Sequence, residues 1–165
     1  MLDALPFERG NFRPHAKRED DQMKLQDCID FATTNPVCYL ATTDGDQPHV
    51  RGWLFWHANE TGFYFQTFQP KDVFKQIQKN PKVELCFTNN GDLKTVRTMR
   101  LTGKVEILND LKLKERLLND MPFLKPAGNG PQDPIYQIFR VAHGEAFFWT
   151  IADILKEKTL ERVKF

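Results

Sequence analysis

Two short stretches hold the residue types that could bind and orient a charged ligand. One is Gln47-Pro48-His49-Val50-Arg51-Gly52-Trp53; the other is Gln66-Thr67, followed by Lys71 and Lys75. The second has the logic of a phosphate site. A threonine hydroxyl at a strand end, outward backbone N–H groups in a turn and the positive N-terminus of a following helix all favour an oxyanion. A lysine in the first turn of such a helix opposes the dipole by about 0.3–1 kcal/mol, a conflict that a bound anion removes. Lysines at 71, 75 and 79 are equally the pattern of a solvated helix face, and residue types alone leave both readings open. Lys79 and Lys82 are read as solvated.

The first stretch reads as a strand with two unlike faces. Val50, Leu54 and Trp56 fall on one, and His49, Arg51, Trp53 and Phe55 on the other. A face that mixes arginine with large aromatics either meets a partner subunit or lines a ligand. Gly52 would let a planar ligand approach the backbone, although a strand glycine also marks bulges. His15, His49, His57 and His143 have no ligand spacing and no nearby cysteine, so no metal site is expected. Cys28, Cys38 and Cys86 are odd in number and scattered in apolar segments, which argues against a disulfide framework. No nucleophile–base motif and no glycine-rich nucleotide cradle is present, so no catalytic side chain is assigned.

The elements that must position these residues follow from the hydrophobic period. Residues 1–22 are polar and broken by Pro6, Gly10 and Pro14, and read as an arm; a domain is expected over 23–165. Met23–Thr34 places Leu25, Cys28, Ile29 and Ala32 on one helical face behind an Asp20/Asp21 cap. Strands are expected at Val37–Thr43, Gln47–His57 and Phe63–Phe68, joined by turns at Asp44-Gly45-Asp46 and 59–62 into a three-strand meander. A helix over Lys71–Asn80 interrupts it. Val83, Leu85 and Phe87 then alternate as a strand. The stretch from Thr95 to Leu108 sets Met99, Leu101, Val105 and Ile107 against Arg100, Thr102, Lys104 and Glu106. A helix over Asp110–Asp120 with Leu111, Leu113, Leu117 and Leu118 buried, a loop over Pro122–Pro134, a strand region at Ile135–Ile151 and a short strand at Arg162–Phe165 complete the chain. Short strands with a few helices off the sheet predict a mainly β (α+β) fold, an antiparallel barrel with peripheral helices.

Composition bounds the rest. The chain of 165 residues suits one domain, and fourteen Phe against three Tyr and three Trp suggest an interior or interface filled by large rings. A net charge of +1 gives no reason to expect nucleic acid or an anionic membrane as partner, so an anion must be held by a local cluster of donors. No apolar run approaches the ~20 residues of a membrane helix, and the first residues lack the layout of a signal peptide, so a cytoplasmic protein is expected.

With these elements in order, the chain resembles a known family. Tyr39-Leu40-Ala41-Thr42, Asp44-Gly45-Asp46-Gln47-Pro48-His49-Val50-Arg51, Phe63-Tyr64-Phe65-Gln66-Thr67, Lys71-Asp72-Val73-Phe74-Lys75-Gln76-Ile77 and Asn80-Pro81-Lys82-Val83-Glu84 succeed one another as in the pyridoxamine 5'-phosphate oxidase-like proteins. Met99-Arg100-Leu101-Thr102-Gly103-Lys104 and Val163-Lys164-Phe165 continue the likeness, which is strongest to the short branch that includes nitroimidazole-resistance proteins. The resemblance implies an FMN-binding split barrel, a homodimer and cofactor sites at the subunit interface. It places flavin contacts on Arg51, Gly52, Trp53 and Leu54; His49, by its residue type, is either a plain polar strand residue or a hydrogen-bonding group beside the cofactor or substrate. Phosphate contacts fall on Gln66, Thr67 and Lys71, with Lys75, Arg100 and a partner-side Trp149 as further candidates. It implies an FMN-dependent oxidoreductase fed by a donor such as NADH or NADPH. A non-catalytic flavin-binding or sensing module, and a deazaflavin or haem binder, are the alternatives. Two departures argue against pyridoxamine phosphate as the substrate. Asp72-Val73 stands where authentic oxidases carry adjacent basic residues, and the chain ends Thr159-Leu160-Glu161-Arg162-Val163-Lys164-Phe165 without their Arg/His substrate segment.

Overall fold

A computed structural model describes residues 23–165. The expected arm over 1–22 and its Asp20/Asp21 cap lie outside the described residues. The first helix, α1 (Leu25–Thr34), begins after Lys24, whose backbone N–H donates to Asp27 Oδ2 at 2.7 Å. Cys28 and Ala32 are fully buried on the expected face, with Leu25 and Ile29 packed beside them.

The strands are β1 (Val37–Asp44), β2 (Gln47–Leu54), β3 (His57–Asn59), β4 (Gly62–Phe68), β5 (Lys82–Thr88), β6 (Arg97–Leu108), β7 (Tyr136–Thr150) and β8 (Val163–Lys164). All pairings are antiparallel, in the order β2-β1-β5-β6-β7-β4-β3, with β8 added to β7. Helix α2 (Asp72–Lys79) follows β4 and helix α3 (Leu111–Asp120) follows β6; a 3-10 turn, Pro122–Ala127, lies inside the segment read as a loop. This is an antiparallel split barrel with peripheral helices.

One expected element is corrected. Gln47–His57 is not one strand but two, and there is no meander through it. β2 pairs only with β1 at one edge of the sheet, and β3 pairs only with β4 at the other. The two residues between them, Phe55 and Trp56, carry the chain from edge to edge. The reason lies in Phe55, which is buried and meets Phe63, Phe65 and Phe87 at ring-centroid distances of 6.3, 5.6 and 5.6 Å. Phe65 stacks on Phe139 at 5.4 Å, and Trp53 lies 6.2 Å from the same ring. Burying these rings together outweighs continuing a straight edge strand.

Burial adds two details to the pattern. Ile107, read on one face with Met99, Leu101 and Val105, is 40% exposed where those three are buried, because β6 runs on past the end of β5 and pairs there with β7 alone, beyond a register shift at Lys104/Val105. On α3, Leu111 is exposed and Lys114 is buried. Lys114 shares the inward face with Leu117, Leu118 and Met121, where its methylene stem covers apolar surface. Asp110 caps this helix, accepting from the N–H groups of Lys112 and Leu113 at 2.8 and 3.1 Å.

Where β6 and β7 cross most closely, Gly103 faces Gly144, and a Cβ on Gly144 would stand 2.0 Å from the Thr102 carbonyl oxygen. On β2, a Cβ on Gly52 would meet nothing within 4 Å. Gly144→Ala is therefore expected to cost about 1–3 kcal/mol in denaturant unfolding, and Gly52→Ala to stay within about 0.5 kcal/mol. A pH dependence follows from the core thiols. Burial pushes Cys28 and Cys38 up to about 12. Unfolded thiols ionise near ~8.5, so above that pH the unfolded chain holds fewer protons than the folded one. Stability is therefore expected to fall as pH rises from about 9 towards 12, with a shallower fall in a Cys28→Ala/Cys38→Ala variant.

Candidate functional site

The edge strand β2 and the first two turns of α2 leave a groove of about 420 Å³ between them, a size suited to a small-molecule ligand. His49, Arg51, Gly52 and Trp53 line it from the strand, and Lys71, Asp72, Val73 and Gln76 from the helix. The alternation read from sequence orients the strand. Trp53 is buried and His49 and Arg51 are half-buried, whereas Val50 and Leu54 point outward at 68% and 36% exposure. The helix turns towards the sheet through Val73, Phe74, Gln76 and Ile77, all buried.

Polar bonding at and behind the groove wall is uneven. Arg51 donates from Nη1 to Thr42 Oγ1 at 2.8 Å and from Nη2 to Gln76 Oε1 at 3.0 Å, while the Thr42 hydroxyl donates to the same Gln76 oxygen at 2.6 Å. Burial lowers the Arg51 pKa from its ordinary value. By contrast, Trp53 Nε1, on the groove wall, and Thr67 Oγ1, on β4 and outside the groove lining, are buried with no hydrogen-bond partner. An unmade bond of this kind costs about 1–3 kcal/mol, and such orphans mark places where a missing partner belongs.

The three lysines of the α2 row separate here. Lys75 pairs with Asp72 at 3.4 Å and Lys79 with Asp44 at 3.3 Å, both on the exposed side. Lys71 has neither bond. It is the N-cap residue of α2, and its ammonium lies 5.4 Å from the Trp53 ring centroid and 5.1 Å from that of Phe68. The solvated-face reading therefore describes Lys75 and Lys79, whereas Lys71 sits over the aromatic wall of the groove.

Other candidates lie elsewhere. Gln66 is on the face of β4 opposite Thr67 and registers with Ile138 of β7. Arg100 shares a cross-strand row with Gly52 through Tyr39 and Cys86, three strands away, roughly 14 Å at the usual spacing. There it pairs with Glu84 and, at 3.1 Å, with Glu157. Trp149 is half-buried opposite Thr98, farther along the same sheet face. Within one chain neither reaches the groove. Thr42 and Gln76 were not singled out in the sequence, yet each carried a signal. Thr42 alternates with the buried Cys38 and Leu40, and Gln76 falls in the helical stripe of Val73 and Ile77. A polar residue on an apolar face is where a buried network begins.

The fold and groove define a split-barrel protein with a cation-bearing, aromatic-walled groove as its candidate ligand site. Residues 25–150 match the family described as pyridoxamine 5'-phosphate oxidase. The chain belongs to that family, in the branch that resembles nitroimidazole-resistance proteins. Its fold superposes on a NimC/NimA family protein from Clostridium acetobutylicum with a TM-score of 0.70 and 28% identity, over 85% of this chain and 92% of the other. An FAD-binding protein from Mesorhizobium loti matches with a TM-score of 0.56 and 18% identity, over 71% and 85% of the two chains. HutZ, the heme storage protein of Vibrio cholerae, matches with a TM-score of 0.59 and 14% identity, over 78% and 95%. At those identities the last two share the fold alone, on which both flavin-binding and haem-binding proteins are built. No curated protein matches the sequence.

The orphaned hydroxyl gives a test that needs no ligand. Thr67→Val keeps the shape of the side chain and removes the unmade bond. The ligand-free variant is expected to unfold at higher denaturant, by about 1 kcal/mol; an unchanged or lower midpoint would show that Thr67 is already satisfied.

Proposed function

We propose that the protein is an FMN-dependent oxidoreductase acting on a small organic substrate, with FMN in the β2/α2 groove. The observation that carries this reading is the pairing of two unpartnered buried donors, Trp53 Nε1 and Thr67 Oγ1, with two cations, Arg51 and Lys71, that have no carboxylate within ion-pair distance among the described residues. A group rich in acceptors and bearing negative charge answers both needs, and a flavin phosphate ester is such a group.

Thr67 and Lys71 would hold the phosphate, and Arg51 would present its charge to the ligand from the strand. Trp53 would form the flat wall, with Gly52 leaving the backbone beside it uncovered. His49 stands on the same groove wall, placed to meet cofactor or substrate. When bound, FMN supplies the electron-transfer chemistry through its ring system. No side chain is needed as a nucleophile, in keeping with the absence of such a motif from the sequence.

A second copy of the chain would complete the site. Val37, Tyr39, Val50 and Leu54 form an exposed apolar face on β1 and β2, adjoining the open side of the groove at Gly52. Arg100 and Trp149 lie on that same sheet face and would approach the ligand only across such an interface. The described residues include no helix long and apolar enough to cross a membrane. NADH or NADPH is the proposed electron donor and the cytoplasm the proposed compartment.

Purified protein is expected to be yellow, with a flavin absorption spectrum and FMN released on denaturation. Colourless protein that takes up no FMN overturns the reading, as does a haem spectrum. Bound FMN is expected to be reduced by NADH or NADPH faster than free FMN; a rate no greater than that of free FMN leaves a binding module rather than an enzyme. Lys71→Ala is expected to weaken FMN binding at least tenfold and Lys79→Ala by less than twofold, read by quenching of flavin fluorescence. Equal affinities would move the phosphate elsewhere.

A further inference from the structure

Arg51 differs from the other described arginines in what holds it. Arg100, Arg116, Arg140 and Arg162 each pair with a carboxylate, from Glu84 and Glu157, Asp120, Glu106 and Glu145 respectively. Arg97 lies 3.6 Å over the Phe148 ring, in the field of Asp27. Arg51 is held by two neutral oxygens, Thr42 Oγ1 and Gln76 Oε1, which are also bonded to each other. Both supporting side chains are nearly inaccessible, Thr42 at 2% and Gln76 at 5% exposure.

The chemistry of this triangle is specific. The Gln76 carbonyl oxygen accepts from both Thr42 and Arg51, which uses its two lone pairs. The Thr42 hydroxyl is both donor and acceptor, so all three members are oriented by one another. A guanidinium has five N–H donors, and three remain after these two bonds. A glutamate at 76 would have nearly the same shape and would cancel the charge. Glutamine fixes the geometry and leaves the charge uncompensated, and burial is the sole influence drawing the Arg51 pKa down.

We infer that Gln76, supported by Thr42, is a positioning residue: it fixes the Arg51 guanidinium at the groove wall and leaves its positive charge for an anionic ligand to neutralise. The inference rests on the flavin reading for the identity of that ligand, but not for the tether itself. It assigns α2 a second task besides presenting Lys71, because the face of the helix that packs on the sheet also sets the direction of the strand arginine.

The experiment has a ligand-free arm and a binding arm. In the first, the Arg51 Nε–Hε resonance is followed by NMR in the ligand-free protein. Wild type is expected to show restricted guanidinium rotation, and Gln76→Leu to release it; identical signals in the two overturn the inference. In the second, FMN affinity is measured in a double-mutant cycle. Gln76→Leu is expected to weaken FMN binding about tenfold in the wild-type background and to have no effect in an Arg51→Met background, because it acts through Arg51. An equal loss in both backgrounds means a merely structural role and overturns the inference. Gln76→Glu, which retains the shape, is expected to keep Arg51 ordered and still weaken FMN; full affinity in that variant overturns the claim that the open charge matters. Thr42→Val removes the two bonds made by the hydroxyl, leaves the Arg51–Gln76 bond in place and serves where Gln76→Leu fails to fold, with a smaller loss in the same direction. A wild-type chain that shows the tether but binds no FMN overturns the flavin reading and leaves the tether supported. Riboflavin, run beside FMN, reports which anion answers the charge. An FMN-to-riboflavin preference that shrinks in Gln76→Leu supports the phosphate as that anion; an unchanged preference overturns it.

Discussion

The architecture turns on the burial of Phe55. A chain that ran straight from β2 into β3 would carry Phe55 on along the edge strand, past the rings that enclose it. Its packing against Phe63, Phe65 and Phe87 instead pulls the chain across from one edge of the sheet to the other within two residues. That crossing fixes three things together. It makes β2 an edge strand with a free flank, it brings Trp53 against Phe139 in the interior, and it sends the chain through β3 and β4 so that α2 emerges beside β2. The groove is thus a by-product of how the aromatic core is closed. Its two walls are 18 or more residues apart in sequence between Trp53 and Lys71, yet the closing rings bring them together.

Around that core, the sheet satisfies its polar groups almost everywhere. The outer rows carry Arg–Glu pairs, α3 is capped by Asp110, and the turn at Asn89–Thr95 is laced by side-chain bonds from Asn89 and Asp92. Unmade bonds are confined to Trp53 and Thr67 among the buried side chains described. Local rules broken at one place in an otherwise consistent structure point to function, because the folded state carries their cost without a structural return. The same contrast separates Lys71 from Lys75 and Lys79: identical residues at helical spacing differ in what lies beneath them.

Much of this was legible in the chain. The period of two located every long strand, the turn signals at Gly45 and Gly62 marked the hairpins that occur, and the face division of β2 was read correctly from His49 to Leu54. What pattern did not reveal was the break at Phe55–Trp56. Both residues fit a strand by propensity, and only the three-dimensional positions of Phe63, Phe65 and Phe87 make turning inward preferable to continuing. Leu111, expected buried, is exposed for a related reason, and Ile107 shows the same: alternation and helical spacing give a face but not whether another element covers it. Within the site, Arg51, Trp53 and Lys71 stood out by type. Thr42 and Gln76 did not, since an isolated threonine or glutamine acquires meaning only when an arginine is seen to rest on it.

The family to which the chain belongs builds on a fold that flavin-binding and haem-binding proteins share, so the fold cannot by itself choose the ligand. The choice must come from the groove's chemistry. A haem requires an axial ligand to its iron, and His49 is the one histidine on the groove wall, on the same strand face as an arginine that bears an uncompensated charge. A second free cation, Lys71, stands across the groove from that arginine. Two positive groups on facing walls, held by a neutral tether and by aromatic rings, favour a ligand that brings anionic charge to the groove, a need that a flavin phosphate or the propionates of a haem would each meet. A phosphate ester provides that charge in compact form, with enough acceptor oxygens for the surrounding donors. The electrostatic demand, more than the shape of the cavity, is thus the condition that the groove sets for an occupant of this fold.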